Sequence, residues 1–231
     1  MTVSKAQFLE NVKTLKERVE RAAAACGRNS EEIKILPVTK FHPLDAAKMA
    51  FEAGFSAVGE NRVQEAAEKI ATADFKINWE LIGHLQTNKA SKATELFDRI
   101  QSVDSIKMLQ KIDAKASELG KTMRILLQIN AGNDPAKFGA ESECSSELLA
   151  TALSLKNLKV EGLMTIAPLD ATLNAATKCF ENLRNIRDNL AQEYQCQLPE
   201  LSMGMSDDLE RAIAEGSTMI RVGTFLFGSR Q

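Results

Sequence analysis

Metal-ligating side chains are scarce in this chain. Its 231 residues contain two histidines, His42 and His84, and four cysteines, Cys26, Cys144, Cys179 and Cys196, none of them in a C-x-x-C pair. That spacing argues against a zinc site and suits reduced thiols in a cytoplasmic protein. No stretch approaches the 18 or so consecutive apolar residues of a membrane span. The first residues, Met1-Thr2-Val3-Ser4-Lys5, lack the apolar core and small-residue cleavage site of a signal peptide. A formal net charge of −2, with no block of like charges, argues against a generic nucleic-acid binder. What the chain does have is an ordinary soluble composition, 44% hydrophobic and 26% charged, enough for one large domain or two small ones.

Periodicity then divides the chain into alternating elements. Ser4 and Gln7 resemble a capping box, and Phe8, Val12, Leu15 and Val19 form an apolar stripe, so residues 4–25 read as a helix that Gly27 ends. Strands are expected at 33–39, 55–58, 79–82, 99–103, 123–129, 158–163, 200–202 and 218–222. Helices are expected between them, at about 44–53, 62–73, 87–96, 104–118, 142–155, 171–193 and from 206 to just before Gly216. A long loop spans 130–140, and a short apolar tail follows Gly223-Thr224. Eight such units within about 250 residues predict a single (β/α)8 barrel over residues 1–231 with an extra N-terminal helix. An open doubly wound sheet is the alternative. Its dinucleotide-binding version is disfavoured because no G-x-G-x-x-G follows the first strand.

In a barrel, the loops after the strands build the active face. Lys40 closes the first strand, where partial desolvation disfavours the ammonium and favours a nucleophilic amine; a solvated lysine capping a strand is the ordinary alternative. Asn61, His84, Asn130 and Met164 follow strands two, three, five and six. The last two loops read Ser202-Met203-Gly204-Met205-Ser206 and Gly223-Thr224, with glycines that let backbone N–H groups approach an anion and hydroxyls that add donors. Barrels often bind phosphate at this position. Alternation within strand eight turns Arg221 into the barrel, where it needs a partner, for instance a carboxylate at the barrel base. A lysine facing a phosphate cradle suits a phosphorylated carbonyl ligand. Pyridoxal 5′-phosphate (PLP) and the substrate of a Schiff-base aldolase both fit that description.

Several longer motifs resemble the pyridoxal phosphate homeostasis proteins across nearly the whole chain. They are Leu36-Pro37-Val38-Thr39-Lys40, Gly59-Glu60-Asn61-Arg62-Val63-Gln64-Glu65, Ile82-Gly83-His84-Leu85-Gln86-Thr87-Asn88-Lys89 and Gly162-Leu163-Met164-Thr165-Ile166-Ala167-Pro168. Leu201-Ser202-Met203-Gly204-Met205-Ser206-Asp207-Asp208, then Arg221-Val222-Gly223-Thr224 and Phe227-Gly228, complete the set. The resemblance implies a barrel like the N-terminal domain of alanine racemase, the type III fold of PLP proteins. It implies a Schiff base between Lys40 and PLP, a phosphate held by Ser202, Gly223 and Thr224, Arg221 against the pyridine nitrogen, and Asn61 and Met164 lining the cofactor, with Gly204 also at the cofactor site. Thr39 and His84 depart from the commonest pattern at their positions, and neither is expected to touch the lysine or the phosphate loops.

Chemistry separates a carrier from an enzyme. A guanidinium only donates hydrogen bonds, so an arginine against the ring nitrogen keeps that nitrogen unprotonated and the ring a weak electron sink. A racemase of this kind also needs a second acid/base, a tyrosine in the enzymes it resembles. The one tyrosine here, Tyr194, falls at the end of a long outer helix. The expectation is a PLP-binding protein of cofactor and vitamin B6 homeostasis without robust turnover, able to serve PLP-dependent client enzymes; a slow PLP-dependent racemase-like enzyme is the alternative. No coiled-coil seam marks the exterior, so a monomer is the default and a dimer possible.

Overall fold

Parallel strands follow one another around a barrel in the computed structural model, which describes residues 3–168 and 173–228. Among these residues β1 (Lys34–Pro37), β2 (Ala57–Glu60), β3 (Asn78–Leu81), β4 (Arg99–Val103), β5 (Met123–Gln128), β6 (Leu158–Met164), β7 (Glu200–Ser202) and β8 (Met219–Val222) form one sheet. Its order is β1-β8-β7-β6-β5-β4-β3-β2, and every pairing is parallel. The seam between β1 and β2 is thin. It consists of one bridge, Val38 to Gly59, with the Thr39 N–H donating to Gly59 O at 3.0 Å. Pro37, which has no N–H to give, ends β1 there.

The intervening helices are α2 (Leu44–Glu52), α3 (Val63–Thr72), α4 (Ala90–Leu96), α5 (Ile106–Glu118), α6 (Ser145–Ser154), α7 (Leu173–Glu193) and α8 (Leu209–Ala214). The expected start of the sixth of these helices, at 171, lies outside the described residues. After β8 comes α9 (Thr224–Phe227), a single turn where an apolar tail was expected. That turn is too short to cover the sheet, and the N-terminal helix α1 (Lys5–Ala25) supplies the missing cover. It packs on α8 and α9, Phe8 stacks on Phe227 at 5.1 Å, and Lys5 reaches Glu52 of α2 at 2.6 Å. The predicted stripe Phe8, Val12, Leu15 and Val19 is buried, with Ala23. Half of the capping box forms: Ser4 Oγ accepts from the Gln7 N–H, while the Gln7 amide turns away to Asn11.

β2 begins two residues later than its composition suggests. Gly54, at φ 87°, ends α2, and the Phe55 N–H returns to Ala50 O at 3.1 Å. Phe55 therefore belongs to the cap of α2, in the six-to-one bond of a Schellman turn, and β2 extends to Glu60.

The main apolar core lies between sheet and helices. The barrel interior is different. Leu36, Val38, Ile82 and Met219 make a small separate cluster there, beside an ion network at the base of the barrel. Arg99 is buried and grips Glu80 with two bonds of 2.9 Å, and its third nitrogen reaches Glu161 at 3.2 Å. Arg124 pairs with Glu161 and Lys34 with Glu200 around the same rim. A buried arginine tolerates this position because each carboxylate that neutralises it is itself hydrogen-bonded.

Candidate functional site

A cavity of about 680 Å³ opens at the carboxyl ends of the strands. Five of the eight candidate residues line it: Lys40, Asn61, Arg221, Gly223 and Thr224. The other three lie beneath its surface. Met164 is fully buried at the end of β6, and Ile166, two residues on, takes its expected place on the wall. Gly204 is buried with φ 96°, and a Cβ there would lie 2.5 Å from that of Ala212, so only glycine lets α8 close against this loop. The wall above it is Met205, Ser206 and Asp207.

Ser202 is also fully buried, and its hydroxyl is committed. It accepts from Arg221 Nη1 at 2.8 Å and lies 2.6 Å from Gln101 Oε1, to which it donates. A guanidinium can only donate, so the direction of both bonds is set. Gln101 in turn donates to Glu80, the partner of Arg99. One chain of hydrogen bonds thus runs through the barrel from the base network to Arg221. The second donor of Arg221, Nη2, reaches Thr165 O at 2.8 Å. Arg221 is therefore not held by a carboxylate at the barrel base. The base carboxylates belong to Arg99, one layer of strands below. Burial lowers the Arg221 pKa to about 10, still far enough above neutrality to leave the group cationic.

The lysine loop is tightly held. Thr39 is buried, and its hydroxyl donates to Glu60 Oε1 at 2.6 Å. Lys69 of α3, itself buried, donates to Thr39 O at 2.9 Å and to Glu60 Oε1 and Glu65 Oε1 at 2.8 Å each. Burial raises the Glu60 carboxyl above the usual range, against the pull of Lys69. Thr39 is thus bonded into the loop that carries the lysine.

His84 lies on the cavity wall, as its place after the third strand predicts, and so does His42. Both histidines of the chain face the same space. His84 stacks on Phe138 at 3.8 Å and 12°, with Nδ1 3.7 Å from Asp104 Oδ2. Burial raises the Asp104 carboxyl. Phe138 arrives from the long loop after β5, whose ends are clasped by Asn130 N–H to Ala140 O and Ala140 N–H to Gln128 O. Arg62 and Phe41, with the guanidinium 5.0 Å from the ring centre, form the rim beyond Asn61. The loop after the third strand pointed to His84; nothing local pointed to Phe138. Tyr194 is remote from all of this, its hydroxyl 2.7 Å from Ser146 Oγ between α7 and α6.

The alanine racemase N-terminal domain family matches residues 4–231. The pyridoxal phosphate homeostasis protein of Aquifex aeolicus is 38% identical over 223 residues, covering 96% of this chain and 98% of its own. That of Synechocystis sp. is 43% identical over 200 residues, covering 86% and 92%. The chain belongs to the pyridoxal phosphate homeostasis family. A solved relative in this family, PipY of Synechococcus elongatus with PLP bound, superposes with a TM-score of 0.80 at 40% identity, over 91% of this chain and 99% of that one. Alanine racemase of Clostridium difficile shares the fold, with a TM-score of 0.75 at 19% identity over 94% of this chain and 56% of its own. Among the described residues no helix is long and apolar enough to cross a membrane, and no group of three or more His, Cys, Asp or Glu side chains could hold a metal ion.

Proposed function

We propose that this chain binds pyridoxal 5′-phosphate in the strand-end cavity and serves cytoplasmic homeostasis of that cofactor, without robust turnover of its own. One observation carries the reading. Lys40, the buried Arg221 and the Gly223-Thr224 loop line a single cavity of about 680 Å³, a phosphorylated aldehyde's three requirements in one place. Membership in the family, and PLP in the PipY relative, support the choice of PLP over an aldolase substrate.

The residues fit the group. A Cβ on Gly223 would lie 3.2 Å from Val38 O and 3.4 Å from Val38 Cβ, so a side chain would crowd the end of β1 where glycine leaves a cradle. The Leu226 and Phe227 N–H groups return to Gly223 O, which leaves the earlier N–H groups of α9 without a helical acceptor and suits a phosphate beside the exposed Thr224 hydroxyl. When bound, PLP supplies an aldehyde that takes up amines and a ring that draws electrons from them. Lys40 Nζ would hold the aldehyde carbon, and Asn61 would line the ring. Arg221 keeps donors beyond those spent on Ser202 and Thr165, and would offer them to the ring nitrogen. Such a contact would keep the nitrogen unprotonated and restrain chemistry on a bound amino acid. The open mouth, with Phe41 and Phe138 exposed at its edge, suits transfer of the cofactor to client enzymes.

A slow racemase-like reaction is the second reading, favoured by His84 against Asp104 on the cavity wall, an atypical replacement for the missing tyrosine. Single-enantiomer amino acids losing optical activity in a Lys40-dependent way would support it. The test of the main reading is the absorption spectrum of the purified protein with PLP, before and after borohydride, with the modified lysine mapped. Lys40→Ala should abolish the borohydride-sensitive band. A band that survives would assign the cofactor to another lysine.

A further inference from the structure

Resting on that reading of Lys40, we propose that Lys69, with Glu60 and Glu65, is a positioning residue for it: the three side chains clamp both peptide units that carry the Lys40 Cα. The peptide before Lys40 contributes Thr39 O, which accepts from Lys69 Nζ at 2.9 Å. The peptide after it contributes the Phe41 N–H, which donates to Glu65 Oε1 at 2.6 Å. Lys69 joins the two sides by donating to that same Glu65 oxygen and to Glu60 Oε1. Glu60 Oε1 in turn accepts from the Thr39 hydroxyl. Holding the planes on either side of one Cα fixes its φ and ψ, and with them the direction in which the lysine side chain leaves the loop.

Two features separate a clamp from an ion cluster that merely ties α3 to the sheet. Phe41 has φ 63°, a left-handed conformation that is strained for a bulky residue. Its ring is about half exposed, with the Arg62 guanidinium over it at the rim; the bond from its N–H to Glu65 acts on the backbone directly. The cluster is also poorly built for stability alone. Glu60 is buried, and its Oε2 has no hydrogen-bond partner among the described residues. A buried lysine among carboxylates gains little over a well-packed apolar side chain of the same length. What the cluster achieves that a methionine would not is a hydrogen bond to each side of the reactive lysine.

The test compares full-length wild type, Lys69→Met, Glu65→Ala and Glu65→Gln. Thermal midpoints establish that each variant is folded. Two readouts follow: the release rate of PLP, and the pH profile with which an amine-specific acylating reagent modifies Lys40 in the PLP-free chain, read by peptide mass spectrometry. Lys69→Met and Glu65→Ala should release PLP about tenfold faster, the effect of losing one charge-assisted bond to the loop. They should also move the Lys40 profile by about half a pH unit or more, because the amine samples more solvent. Glu65→Gln keeps an acceptor for the Phe41 N–H and should restore much of both. If Lys69→Met fails to fold, Glu65→Ala, at a half-buried position, decides. Folded variants with wild-type release and an unmoved Lys40 profile would overturn the clamp. Failure of the PLP reading itself would show in the wild type, as no borohydride-fixed bond at Lys40, while the acylation profiles still report on the clamp.

Discussion

Replacing Ser202 with alanine separates two roles that its place in the chain allows. If Ser202 supports Arg221, its loss should be felt before any cofactor binds. The Arg221 Nη1 bond to its hydroxyl is charge-assisted and worth about 1.5–3 kcal/mol, and the bond from its hydroxyl to Gln101 is neutral and worth about 0.5–1.5 kcal/mol. Ser202 is fully buried, so water does not readily replace either bond. The two together come to about 2–4.5 kcal/mol. At roughly 2–4 °C per kcal/mol for a domain of this size, the PLP-free melting midpoint should fall by about 4–18 °C. The assay is thermal unfolding of the cofactor-free protein followed by circular dichroism, because bound PLP would add its own stabilisation and mask the difference. Gln101→Met should cost a similar amount, and the double variant less than the two together, since both remove one shared bond. An unmoved PLP-free midpoint with a Kd for PLP raised tenfold or more would refute this reasoning and return Ser202 to the phosphate.

Thr224→Ala should raise the Kd for PLP by about 5- to 150-fold, corresponding to the ~1–3 kcal/mol of a hydrogen bond to a charged group. Equilibrium titration at constant phosphate checks this, and an unchanged Kd removes Thr224 from the cradle. Arg99→Met should lose about 3–5 kcal/mol in urea unfolding, because Glu80 remains buried without its cation, while Glu161 keeps Arg124 and Lys159; a loss below about 1 kcal/mol would mean Glu80 becomes protonated or hydrated instead. Glu60→Gln should alter the pH dependence of stability. The Glu60 carboxyl is raised in the folded state, so its contribution is full below its ordinary value of 4.5 and is lost as pH rises through the raised value. Thermal midpoints of wild type relative to Glu60→Gln should therefore fall across that window, and parallel curves would show that Glu60 titrates normally.

Local pattern determined a good deal of this protein. The stripe on α1, the eight strand-and-helix alternations, Lys40 at the end of β1 and the glycines after β7 and β8 are all set by the side chains of a few neighbouring residues. Burial of one face is a short-range property, and the sequence records it as periodicity. Boundaries failed where a cap competed with a strand, as at Phe55, whose β propensity yields to the turn that ends α2. Tertiary closure decided the rest. It turned Ser202 downward onto Gln101, sank Met164 below the wall and gave the base carboxylates to Arg99 rather than Arg221. It also brought Phe138 over His84, and Lys69 of α3 behind Lys40 in the loop after β1. Those partners stand tens of residues apart, up to 101 between Gln101 and Ser202. Which charge meets which depends on strand register around a closed barrel, a geometry that no single stretch of sequence contains.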